Sequence, residues 1–196
     1  MDNSRYELLI FIYLLLLGYA FERSVFAFNV PHNKKTNQKK WLSTVPVLSY
    51  VFFFFVSVIE FSNKNILALN LVIFFIGCLI LIFGIIFRYH AVLTFKKNNQ
   101  CWFAHIEADK VNFIIVDGPY KYVRHPYYAS VMSELMGIAL ALNSYISLFF
   151  ILIIQGGLLC LRIISEEAEL IKYFGAQYLD YKLRVGLFPR KEKRSA

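Results

Sequence analysis

Residues 65–87 carry no charged side chain, and Lys64 and Arg88 close the run at its two ends. A helix of about 20 mostly apolar residues crosses the hydrocarbon of a bilayer, so this stretch is long enough to span one. Backbone amides in lipid must be bonded within their own segment, which makes a helix the spanning element for a run of this length. The chain as a whole is 58% hydrophobic and only 17% charged, too apolar for an ordinary soluble domain.

Four further windows read the same way. Residues 6–21 are uncharged apart from Glu7, and the Glu22-Arg23 pair after them is not a small-residue cleavage site, so a retained helix is expected there instead of a signal peptide. Residues 41–59 form a second span, with Pro46 tolerable near a helix start. Residues 127–142 and 145–161 are joined by only Asn143 and Ser144 and should pack as an antiparallel hairpin. The expectation is an all-α polytopic membrane protein with about five transmembrane helices. Residues 1–87 would be an N-terminal three-helix membrane region, and residues 88–196 a core with a cytosolic pocket.

Sidedness follows from the cations. Lys34, Lys35, Lys39 and Lys40 follow the first span, Arg88, Lys96, Lys97, Lys110, Lys121 and Arg124 follow the third, and the tail carries Arg190, Lys191, Lys193 and Arg194. These segments alternate onto one face, which the positive-inside bias assigns to the cytosol, with the N-terminus out. A net charge of +8 spread over three juxtamembrane segments suits anionic lipid headgroups and lacks the patterning of a nucleic-acid binder. Cys78, Cys101 and Cys160 are odd in number and two fall in spans, so neither a disulfide framework nor a metal site is indicated. Residues 33–40 are a solvated basic loop.

The segment from Arg88 to Pro126 is far longer than a tight helix connection, and loops of such length are commonly functional. Trp102, Phe103, Phe113, Ile114, Ile115, Tyr120 and Tyr122 argue for a folded, re-entrant loop at the membrane surface. It ends Gly118-Pro119-Tyr120-Lys121-Tyr122-Val123-Arg124-His125-Pro126-Tyr127-Tyr128. Gly118 and Pro119 make a turn, and Pro126 suits the first helical position, where its missing N–H is harmless. Arg124 and His125 then sit at a helix N-terminus, a place that suits a carboxylate or phosphate. The blander alternative is a positive-inside arginine beside a capping or interfacial histidine. Glu134, inside a span, must face the bundle or a wet cavity, as a functional group or as a hydrogen-bonded structural one.

Beyond the fifth span, Glu167 shares a helical stripe with Leu170, Ile171 and Phe174, so its carboxylate points where the apolar residues point and needs a partner. Gly175 is a helix stop, and residues 176–185 form a second short helix bearing Tyr178, Tyr181 and Arg184, with Arg184 as the expected partner of Glu167. No Gly-rich dinucleotide fingerprint, P-loop or nucleophile elbow occurs, which leaves Rossmann-type and elbow-type hydrolase chemistry unsupported.

The order G-x-Y-x-x-x-R-H-P-x-Y, then E-E, then F-G-x-x-Y-x-x-Y, resembles the isoprenylcysteine carboxyl methyltransferase family, related more distantly to the membrane phospholipid methyltransferases. The likeness covers about residues 88–189. It implies S-adenosylmethionine as methyl donor, with Gly118, Tyr120, His125, Pro126, Tyr128, Glu166 and Glu167 on the cofactor side. His105, in Trp102-Phe103-Ala104-His105-Ile106, is similar to a loop histidine of the eukaryotic enzymes that faces the cofactor. Asn112 stands where the family usually has a histidine, and Ser130 where a glycine is frequent; an asparagine still forms hydrogen bonds but does not titrate near neutral pH. Arg124 and Arg184 are the implied contacts of an acceptor carboxylate, and with Glu167 they form the expected catalytic set. The implied partner is a prenylated protein C-terminus or a similar lipid-like acceptor. Two other functions remain open: methylation of another membrane lipid, such as phosphatidylethanolamine or a phenolic lipid, and a non-enzymatic membrane scaffold. The membrane would be the endoplasmic reticulum in a eukaryote or the inner membrane in a bacterium.

Overall fold

Asn70 opens a long apolar helix. Its side chain accepts hydrogen bonds from the amides of Val72 and Ile73, at 3.0 and 3.2 Å, satisfying donors that the first helical turn leaves unpaired. The computed structural model describes residues 40–63, 69–98 and 113–187. Every element among them is helical: α1 (Lys40–Ser62), α2 (Leu71–Lys97), a 3-10 turn (Gly118–Lys121), α3 (Pro126–Ala141), α4 (Tyr145–Phe174) and α5 (Ala176–Arg184). The expected span 6–21, Cys101, Trp102, Phe103, His105 and Asn112 lie outside the described residues.

Two boundaries differ from expectation for physical reasons. The apolar run 65–87 becomes α2 at Leu71–Lys97, because the first charge, Arg88, ends the apolar stretch without breaking the helix. Neither Gly nor Pro follows until Lys97, so the helix continues. Likewise the expected span 145–161 and the helix expected to stop at Gly175 are one element, α4, which runs to Phe174 through a π-helical turn at Ile151–Gln155. These two helices are long and apolar enough to cross a membrane, and the apolar stretch Leu48–Ser62 of α1 is shorter. The outer face of α2, with Leu71, Phe75, Leu79, Ile82 and Ile86 exposed, has the surface expected of a lipid-facing helix.

Among the described residues, α2 and α3 form the most extensive helix pair. A Cβ at Gly137 would lie 2.5 Å from the amide nitrogen of Leu81, so α3 approaches the α2 backbone as only a glycine permits. In the same seam Arg88 Nε donates to Glu134 Oε1 at 2.7 Å, both side chains being almost wholly buried. Glu134 is thus held by an arginine of the neighbouring helix.

The expected hairpin is present between Ala141 and Tyr145. Asn143 takes a positive φ of 53°, which asparagine tolerates better than most residues, and its side-chain oxygen accepts from the Asn70 amide at 3.0 Å. Glu60 of α1 accepts from the amides of Ile146 and Ser147 and from the Ser147 hydroxyl, so one helix caps the start of another.

Candidate active site

At the opposite end of the bundle from this hairpin, the last turns of α2, the 3-10 turn, the start of α3, the end of α4 and α5 converge. Gly118 has φ +55°, in the left-handed region, and a Cβ there would lie 2.5 Å from Thr94 Oγ1, so the motif glycine lets the turn sit against the extended end of α2. Pro119 follows at the second position of that turn, still within the stretch whose N–H groups have no partner inside the turn. Tyr120 is thereby delivered edge-on to Phe95 of α2, with ring centroids 5.2 Å apart. Tyr181 of α5 donates its hydroxyl to the carbonyl of Tyr120 at 2.7 Å, which ties α5 to the turn.

His125 occupies the N-cap position of α3, but its side chain makes no capping bond. Its Nε2 instead lies 3.3 Å from Glu167 Oε1, and its ring stacks on Tyr128. Arg124 Nε stands 2.9 Å from the same oxygen, as an ion pair whose N–H is not aligned for a hydrogen bond. Its Nη1 donates to the carbonyls of Lys182 and Val185 at 3.0 and 2.9 Å, and its backbone amide donates to Gly186 at 3.1 Å. Much of this arginine's bonding capacity therefore pins the end of α5 to the loop.

Glu167 is enclosed by basic side chains. Besides Arg124 and His125, Lys182 Nζ lies 2.6 Å from Oε2. The expected partnership with Arg184 is corrected: Arg184 is exposed and paired with Asp180, one helical turn away at 2.8 Å. Residues four apart on a helix share a face, and Lys182 and Arg184, two apart, do not, which turns one toward Glu167 and the other to solvent.

Glu166 plays a different part. Successive helical residues point about 100° apart, so while Glu167 meets the cations, Glu166 lines a cavity with Tyr120, Arg124, His125, Tyr128, Tyr178, Tyr181 and the apolar side chains of Phe95, Ile114, Ile115, Leu170 and Phe174. Tyr128 Oη donates to Glu166 Oε2 at 2.8 Å. Burial, then the nearby Glu166 carboxylate, pushes the Tyr120 phenol well above its usual pKa. Burial, then Glu167 and Glu166, raises that of Tyr178, and burial raises that of Tyr181. These phenols are neutral donors and π-faces at any physiological pH.

The cavity is about 60 Å³ and partly open. One wall offers a carboxylate among aromatic rings, suited to an organic cation. Beside it stands a cluster in which Arg124 and Lys182 outnumber the single charge of Glu167, suited to an anion. Gly118, Tyr120, Arg124, His125, Pro126, Tyr128, Glu166 and Glu167 are brought together here, and Arg184 is not. Phe95, Lys182 and Arg162 were not singled out by sequence reasoning. Arg162 alone had a local signal, its spacing of four from Glu166; Lys182 reaches Glu167 across the Gly175 turn, where helical periodicity gives no guide.

A helical, membrane-type chain with an aromatic-lined pocket at one end of its bundle, a buried carboxylate in its wall beside a cationic cluster, is the class defined by fold and site. The sequence model of the isoprenylcysteine carboxyl methyltransferase (ICMT) family matches residues 75–172, and the chain belongs to that family. It is 34% identical over 86 residues to the protein-S-isoprenylcysteine O-methyltransferase of Schizosaccharomyces pombe, covering 42% of this chain and 36% of that protein. With the Saccharomyces cerevisiae protein of the same name it shares 32% identity over 117 residues, 57% of this chain and 46% of the relative. An uncharacterized protein of Haemophilus influenzae is 31% identical over 133 residues, 67% of this chain and 74% of its own length. The chain thus spans less than half the length of the two yeast relatives. No solved structure gives a significant match.

Proposed function

We propose that this protein is an S-adenosylmethionine-dependent carboxyl O-methyltransferase acting on the C-terminal prenylated cysteine of proteins. The observation that carries the reading is the adjacency of Glu166, with its aromatic surround, to the cation cluster held by Glu167: one place for a cationic donor beside one for an anionic acceptor. Membership of a methyltransferase family implies a methyl donor, and the curated yeast relatives carry the name of this activity.

The chemistry of the lining fits such a donor. S-adenosylmethionine supplies an electrophilic methyl group on a sulfonium. Glu166 and the faces of Tyr120, Tyr128 and Tyr178 would hold it, with His125 stacked on Tyr128 completing the wall and Gly118 and Pro126 shaping the turn and helix start that carry them. A cavity of about 60 Å³ takes only part of a nucleoside-bearing molecule; His105 and Asn112, outside the described residues, keep the cofactor-side role that the family resemblance implies. An acceptor carboxylate is already anionic near neutral pH, so the protein's task is orientation and not proton removal. Arg124 and Lys182, in place of Arg184, would orient it; Glu167 would hold those two cations in position. Water excluded by Phe95, Leu170 and Phe174 would strengthen each contact.

The prenyl chain would lie in the bilayer, where burial contributes about 0.8 kcal/mol per CH₂. We place the pocket on the cytosolic side with the N-terminus out, supported by the one-sided Lys and Arg distribution. The five-span count is supported by the two long apolar helices, the shorter α1 stretch and the α3–α4 hairpin. Every cavity residue lies beyond Arg88, which supports residues 88–196 as the catalytic core.

Membranes containing the protein, given methyl-labelled S-adenosylmethionine and a farnesylcysteine analogue, are expected to form a base-labile methyl ester. Label found in phosphatidylethanolamine or a phenolic lipid instead would transfer the activity to a lipid acceptor. Absence of saturable donor binding would sink the enzymatic reading.

A further inference from the structure

Arg162 stands four residues before Glu166 on α4, the spacing at which an arginine and a glutamate pair across one helical turn. In this protein a side chain from another helix is inserted into that bond. Arg162 Nε donates to Tyr128 Oη at 2.7 Å, and Tyr128 Oη donates onward to Glu166 Oε2 at 2.8 Å. The guanidinium carbon of Arg162 also lies 5.6 Å from the centroid of the Tyr128 ring. Tyr128 and Glu166 are buried and line the cavity, whereas Arg162 is half-buried and does not.

The order of donors matters. A phenol has one proton and an oxygen that accepts. With Arg162 on the accepting side, the proton is directed at Glu166, so the carboxylate is bonded by a neutral donor where a guanidinium would otherwise cancel its charge. Tyr128 stands between two residues whose spacing favours direct pairing and takes the place of the direct hydrogen bond between them.

We propose that Arg162 is a positioning residue for the methyl donor: through Tyr128 it sets the orientation of the hydroxyl that holds Glu166, and with the tyrosine interposed it leaves the charge of Glu166 to a cationic ligand in the cavity. The proposal rests on the reading of this cavity as the donor site. It distinguishes Arg162 from Arg124 and Lys182, which face the acceptor, and it gives α3 a second task beyond carrying the Arg-His-Pro turn.

The test uses the full-length protein in membranes, with labelled S-adenosylmethionine and a farnesylcysteine analogue, and resistance to alkaline extraction confirms insertion of every variant. Arg162→Met is expected to weaken donor binding about tenfold, the scale of one charge-assisted hydrogen bond, while the acceptor KM stays within about twofold. Arg162→Lys, which keeps the charge but not the guanidinium fork, should recover part of the loss. Tyr128→Phe should do more harm than Arg162→Met, because the arginine can then close on Glu166. The double variant Tyr128→Phe/Arg162→Met should therefore bind the donor more tightly than Tyr128→Phe alone. Losses that simply add, equal changes in both KM values, or wild-type donor binding in Arg162→Met would each overturn the positioning role while leaving the donor site in place. A wild-type protein that does not bind labelled S-adenosylmethionine would overturn both. If Arg162→Met fails to insert, the comparison of Arg162→Lys with Tyr128→Phe decides by the same donor-against-acceptor split.

Discussion

Replacing Glu167 with Gln removes one negative charge from a cluster containing Arg124, His125 and Lys182. The consequence can be worked from how each partner is buried. Arg124 and Glu167 are 9% and 7% exposed, so after the change the guanidinium keeps its carbonyl bonds to residues 182 and 185 but loses its counter-charge away from water. Breaking a buried pair by removing one partner costs about 3–5 kcal/mol, and the retained carbonyl bonds place this case near the lower end, at about 3 kcal/mol. Lys182 is 39% exposed and can turn to water, so Lys182→Met should cost about 0–1 kcal/mol. The ordering is therefore a gap of about 2 kcal/mol or more between the two variants. Denaturant unfolding in detergent micelles, followed by tyrosine and tryptophan fluorescence, measures both. A double-mutant cycle of Glu167→Gln with Arg124→Met should return a coupling of about 1–3 kcal/mol. Equal losses for Glu167→Gln and Lys182→Met, with no coupling to Arg124, would refute the view that Glu167 exists to hold the arginine.

The other predictions concern the seam between α2 and α3 and the behaviour at high pH. Arg88→Met and Glu134→Leu should each destabilise the protein by about 3–5 kcal/mol, while the double variant should regain much of that loss, because the two opposite buried charges are then removed together; unfolding of the three variants in micelles checks this. Folding raises the pKa of the Tyr178 phenol, chiefly through burial. The linked stability is then complete below the ordinary phenol pKa of about 10 and falls as pH rises above it toward the raised folded value. Tyr178→Phe should flatten that alkaline decline, and an unchanged slope in unfolding experiments across this range would count against the burial of Tyr178.

How much was legible depended on the range over which each signal acts. Helical hydrophobic runs and the Asn143-Ser144 turn are local, so α2, α4 and the hairpin were read nearly where they stand, along with the Arg124-His125-Pro126 entry to α3. The end of α2 was misjudged by ten residues because a charge ends an apolar run without ending a helix, whereas the Gly175 stop of α4 was read in place and only its continuity with the fifth span was missed. That error concealed Phe95, since the extension of α2 is what carries it to the pocket. The stripe shared by Glu167, Leu170 and Phe174 showed that the carboxylate turns inward, but not which cation receives it. Arg88 looked like the first residue of a loop, and only the packing of α3 on α2 made it the partner of Glu134.

By itself, then, the sequence determined a helical membrane protein, its family, and the residue types that gather at one end, because these depend on apolar run length, charge distribution and motifs fixed along the chain. The tertiary structure decided which of two adjacent glutamates faces the cavity and which faces the cations, that Lys182 and not Arg184 completes the cluster, and that Tyr128 stands between Arg162 and Glu166. Those outcomes turn on a rotation of about 100° between neighbouring helical residues and on how α3 and α5 dock against α4, which is settled by packing between helices and not by spacing within one.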